Sequence, residues 1–155
     1  MALARFESAE AAQRNSDRPE QDQWWSETSK LFDGEVSFKD SEDVVVDVTG
    51  DPDTAGFVQV IQGRTSDPAR ARALMGEDSS DWAQFRPDVI GNFVVAHDDG
   101  AYTMAAYFTS EAEAREGERK EPPPALKATM EEMMSLEVGT PEYLDLKEPW
   151  LHSPR

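Results

Sequence analysis

Cysteine is absent from the 155 residues, which excludes disulfides, thiolate catalysis and zinc sites built on Cys. A basic patch is missing too. The 15 Lys and Arg residues are scattered among 32 Asp and Glu, giving a net charge of −17, and such a surface repels phosphate backbones and anionic membranes. No nucleic-acid partner and no membrane partner is therefore expected. No window approaches the roughly eighteen uncharged apolar residues of a membrane helix, and the opening MALARFESAE lacks the charged and then apolar regions of a secretion signal. A reducing cytoplasm is the expected setting. The glycines are isolated and no Ser sits in a nucleophile elbow, which removes phosphate-loop chemistry and serine hydrolysis. Of the two histidines, His97 and His152, neither has a partner at the spacing that puts two ligands on one helix face. No metal and no cofactor is expected.

What is present alternates between strand and helix. GFVQVIQGRT (56–65), DVIGNFVVAH (88–97) and AYTMAAYFT (101–109) are rich in the β-branched and aromatic residues that favour strands, and Asp98, Asp99 and Gly100 between the last two signal a hairpin. EYLDL (142–146), bounded by Pro141 and Pro149, alternates as a half-buried strand should. LARFE and EVSFKDSEDVVVDV offer two further strands near the amino terminus. Asp67 followed by Pro68 caps a helix that breaks near Gly76, and Ser110 with Glu113 forms a capping box. Ser8 caps another helix but has Ala11 at the reciprocal position. Both Ser-capped helices soon meet proline, at Pro19 and at Pro122 to Pro124, so each is expected to split into two short helices.

YFTSEAEAR (107–115) echoes RFESAEAAQ (5–13), and Phe6, Ser8, Ala12, Glu35, Val36 and Asp43 recur at a single offset of 102 residues. Agreement of strand, cap, kink and following strand at one offset points to an internal duplication. Residues 55–149 read strand, helix, strand, strand, helix, strand, the ferredoxin-like order of an α+β fold. Residues 1–50 read as a partial repeat, strand-helix-strand, and 150–155 as a tail. Half a unit leaves a bare sheet edge and an uncovered apolar helix face. Three arrangements answer that: packing within the chain, pairing with a second chain, or a start that lies upstream of Met1.

ARFESAEAAQRNSDRPEQDQWW, KLFDGEVSFKDSEDV, AGFVQVIQGR, YFTSEAEAREGE and YLDLKEPWLH together resemble an uncharacterised bacterial family of the dimeric α/β-barrel superfamily, related to antibiotic-biosynthesis-monooxygenase-like domains. The resemblance implies ferredoxin-like units whose sheets pack face to face, and a homodimer. Cofactor-free monooxygenases and haem-degrading enzymes of this fold use Asn, Trp, His, Tyr or Arg near their cavities. No spacing here matches a catalytic motif of the family, so no residue role carries over.

In such a barrel, strand residues pointing away from the helices would line a cavity. Asn92, in an otherwise apolar strand, is a buried amide that requires a hydrogen-bond partner in protein, water or ligand. His97 is a candidate acid or base because an unperturbed histidine changes charge near neutrality, and Tyr107 lies on the next strand. These three are the catalytic candidates. Gln59, Trp82 and Trp24 are the ligand-binding candidates, against a core or interface role for the tryptophans. The sequence-level function is binding of a small apolar or aromatic molecule, with cofactor-independent oxygenation or isomerisation as the enzymatic form. The alternative is a non-catalytic binding or assembly module filled by side chains.

Overall fold

The computed structural model describes residues 1–76 and 80–153 of the chain. They divide into two compact units, Met1–Glu42 and Asp43–Arg155. In the first unit, Ser8 accepts a hydrogen bond from the Ala11 backbone N–H at 3.2 Å and starts helix α1 (Ala9–Ser16). Pro19 occupies the first turn of α2 (Pro19–Thr28), where its missing N–H costs nothing. Trp25 gathers Trp24, Phe32 and Phe38 around it, with ring centroids 6.2, 6.2 and 5.0 Å away.

The strand expected over LARFE does not form, since residues 1–6 carry no sheet pairing. The next expected strand shrinks to β1 (Val44–Val48), because Lys39 to Asp43 is a charged run with little strand preference. β1 pairs along its whole length with another strand of the second unit, to which it belongs.

The second unit continues with β2 (Phe57–Arg64), α3 (Pro68–Met75), α4 (Ser80–Phe85), β3 (Val89–Ala96), β4 (Ala101–Phe108), α5 (Glu111–Gly117), α6 (Pro124–Leu136) and β5 (Glu142–Leu146). All pairings are antiparallel and the sheet order is β1-β3-β4-β2-β5. Strands β2 to β5 follow the ferredoxin-like order, and β1 extends the sheet beyond β3. The Ser110 cap forms as expected, Ser110 Oγ accepting from the Glu113 N–H at 3.2 Å, while the Glu113 carboxylate accepts from the Ser110 and Thr109 hydroxyls. The β3–β4 turn needs backbone at positive φ, supplied by Asp99 (φ 57°) and Gly100 (φ 74°). A side chain at Gly100 would strike the Thr65 carbonyl, 2.4 Å from an ideal Cβ.

The two faces of the sheet carry separate apolar clusters. On the helix side Phe57, Ala106, Phe108 and Ala114 are buried with Val89 and Met104 against them. Full burial of a side chain such as Phe57 contributes about 1.5–3 kcal/mol. On the other face Val58, Val60 and Ala105 form the cluster, joined by Tyr107, Leu144, Leu146 and Leu151. Ser153 donates through its N–H and hydroxyl to Asp53, both at 2.9 Å, and holds the end of the chain beside that face. Among the described residues no helix is long and apolar enough to cross a membrane.

Candidate functional site

A cleft of about 950 Å³ opens between the helix side of the sheet and helices α3, α4 and α6. Its size follows from short elements and small residues. α3 and α4 span only eight and six residues, and Gly91, Ala106, Ala71 and Ala83 leave space where larger side chains would fill it. The walls are mainly apolar, with Ile61, Leu74, Trp82, Val94 and Phe108 joined by Met75, Met104, Met130, Met133 and Met134. Unbranched thioethers adapt to irregular ligand shapes.

Across the floor, strand register lines up Asp47, Asn92, Ala106, Gln59 and Asp145, one from each strand. Alternation puts all five on the same face. At the β5 end the row is closed by protein. Gln59 donates from Nε2 to Asp145 Oδ1 at 2.9 Å, Arg115 donates to the other Asp145 oxygen, and the Arg115 guanidinium lies 5.2 Å from the Phe57 ring centroid. At the β1 end the row is open: the side chains of Asn92 and Asp47, both half-buried, make no hydrogen bond or ion pair with another described residue.

Two further polar pairs fix the walls. Arg86 donates from Nε and Nη2 to the buried Asp88 at 3.0 and 2.7 Å, a forked geometry suited to a carboxylate. The Tyr102 hydroxyl donates to Glu137 Oε2 at 2.9 Å, and Glu137 Oε1 accepts from the Arg64 N–H at 3.1 Å. Burial, and then the Glu137 carboxylate, push the Tyr102 phenol well above its ordinary range. Gly63 makes room for this pair, since an ideal Cβ there would sit 2.5 Å from Glu137 Oε1 and 2.6 Å from the Tyr102 hydroxyl. Among the described residues no three or more His, Asp or Glu side chains gather as a metal would require.

No protein-family model and no curated protein matches the sequence. Solved structures do. A candidate monooxygenase from Lactobacillus acidophilus NCFM aligns with 90% of this chain and 65% of its own length, at TM-score 0.59 and 12% identity. A protein of unknown function from Nitrosomonas europaea aligns with 66% of this chain and 98% of its own, at TM-score 0.50 and 10% identity. A monooxygenase from Streptomyces coelicolor, solved with the ligand nanaomycin D, aligns with 68% of this chain and 96% of its own, at TM-score 0.49 and 23% identity. The fold is shared with the Lactobacillus acidophilus protein.

Within this fold the sequence-predicted residues separate. Asn92, Gln59 and Trp82 line the helix-side cleft, whereas the sequence had placed the cavity on the opposite face of the sheet. Gln59 is committed to Asp145, so its part in the site is to brace the floor. Tyr107 lies on the opposite face from Asn92, packed edge-on against Phe93 with centroids 5.3 Å apart. The two therefore do not act in one constellation. His97 stands at the rim with Nε2 3.0 Å from Thr103 Oγ1, whose hydroxyl also accepts from Gln62 at 3.3 Å. Trp24 belongs to the first unit, beside Trp25, while every residue lining the cleft belongs to the second. Sequence reasoning missed Asp47, although one signal was there: a lone carboxylate among the valines of VVVDV, two residues from Val45 on the same face.

Proposed function

We propose that the protein binds a small, largely apolar aromatic molecule in the helix-side cleft, oriented by the Asn92 amide, and that the activity to which the cleft is suited is cofactor-independent oxygenation or isomerisation. The observation that carries the reading is the half-buried Asn92 side-chain amide, without a partner among the described residues, on the floor of a cleft of about 950 Å³. Amides in such surroundings are satisfied by water or a ligand, and pockets of this size and apolar character are the usual small-molecule sites. The open volume also weighs against a module filled by its own side chains. The share of the fold with a candidate monooxygenase supports the choice of reaction class. Fold by itself fixes no activity. A homodimer is part of this reading, supported by the exposed Val46 and Val48 on the sheet face that bears no helices.

Calorimetric titration with 1-naphthalenemethanol, a neutral bicyclic probe, tests the binding. One saturable site is expected, with quenching of tryptophan emission that Trp82→Phe largely removes. Asn92→Leu is expected to weaken the probe about tenfold, the loss of one useful hydrogen bond. Absence of saturable binding, or binding indifferent to both substitutions, would overturn the reading. Native mass spectrometry of the same preparation reports the oligomeric state and any retained molecule.

A further inference from the structure

We infer that the natural ligand of the cleft carries a protonated amine and that Asp47 is its counter-charge, an inference that rests on the cleft being the ligand site. Among the described residues five carboxylates line the cleft: Asp43, Asp47, Glu118, Glu137 and Asp145. Four are already engaged by protein. Asp43 pairs with Arg72. Glu118 and Asp145 share Arg115, and Glu137 accepts from the Tyr102 hydroxyl and the Arg64 N–H. The carboxylate of the fifth, Asp47, has no ion pair and no hydrogen bond among the described residues.

Nor, among the described residues, is an arginine of the lining left over to neutralise it. The arginines of the lining are Arg72, Arg86 and Arg115, held respectively by Asp43, by Asp88 and by Asp145 with Glu118. The partner across the strand pair is Asn92, a neutral amide. An ionised carboxylate only accepts hydrogen bonds, and placing it among apolar walls is unfavourable unless a donor or a positive charge meets it. A protonated amine supplies both, while its hydrocarbon body takes the apolar wall. The net charge of −17 favours approach of cations and opposes that of anions.

The test compares three probes of one ring system by calorimetry on the full chain: 1-naphthylmethylamine, 1-naphthalenemethanol and 1-naphthylacetate. The amine is expected to bind about tenfold or more tightly than the alcohol, one favourable charge contact converted to affinity, and the acetate most weakly. Asp47→Asn and Asp47→Ala should each bring the amine to the level of the alcohol, and Asp47→Glu should restore its advantage. Two outcomes overturn the inference while the alcohol still binds and the cleft reading stands. One is equal affinity for amine and alcohol. The other is an amine advantage that survives loss of Asp47 and so belongs to the acidic surface at large. Failure of all three probes to bind removes the cleft reading, and this inference with it.

Discussion

Tyr102 and Glu137 show how one tolerated glycine sets a local chemistry. Gly63 on β2 lets the phenol and the carboxylate meet over the backbone, where an alanine methyl would be within 3 Å of both. Because burial and Glu137 raise the Tyr102 pKa, the protonated phenol is favoured in the folded state. Its contribution is complete below the unfolded tyrosine value of about 10 and is lost as pH rises toward the folded one. Thermal melts followed upward from about pH 9 should therefore show a falling midpoint, and Tyr102→Phe should flatten that decline. An equal alkaline decline in the variant would remove Tyr102 as its source. At this scale the sequence was partly legible. Asn92 stood out as an amide among Phe93, Val94 and Val95, and the structure lays it on the cleft floor. Asp47 did not stand out, because its meaning depends on which arginines other strands and helices have already engaged.

Helix starts were the most readable elements, since their signals are local. Ser110 with Glu113, Asp67 with Pro68, and Pro19 each begin a helix where the side-chain chemistry places it. Ser8 and Ser110 bond the third following N–H at the same 3.2 Å, so the repeated phrase does write the same cap twice. Its strand is another matter. Tyr107 and Phe108 belong to β4, flanked on both sides by β2 and β3, whereas RFE has no sheet partner. A strand is completed by neighbours that its own residues do not encode. Replacing Ser110 by Ala should cost about 1 kcal/mol, the usual worth of an N-cap, read as a shift of the urea midpoint. Ser8→Ala lacks the reciprocal glutamate and should shift it less. Equal or reversed shifts would show that Glu113 adds nothing at α5.

For the molecule as a whole, the ferredoxin-like order was legible from the spacing of strand and helix signals in residues 55–149, but the side of the sheet that holds the cleft was not. That depends on how tightly six- and eight-residue helices close over a floor of alanine and glycine. The whole-chain charge has its own consequence. With −17, self-repulsion opposes compactness, and salt screens it over about 10 Å at 0.1 M. Raising sodium chloride from about 10 to about 200 mM should therefore raise the melting temperature. A fall would mean that exposed pairs such as Arg70 with Glu132, at 2.6 Å, outweigh the repulsion. Tyr102 with Glu137 and Arg86 with Asp88, being shielded from water, should be little affected by ionic strength.

The methionines around the cleft carry a different implication. Every one except Met1 faces it, and thioether sulfur is among the side-chain groups most easily converted to sulfoxide, a change that turns an oily surface polar. Peroxide that entered the cleft would meet these sulfurs first. Each molecule would thus keep a chemical record of that exposure, legible by peptide mass mapping, and its apolar lining would grow more polar as the record lengthened.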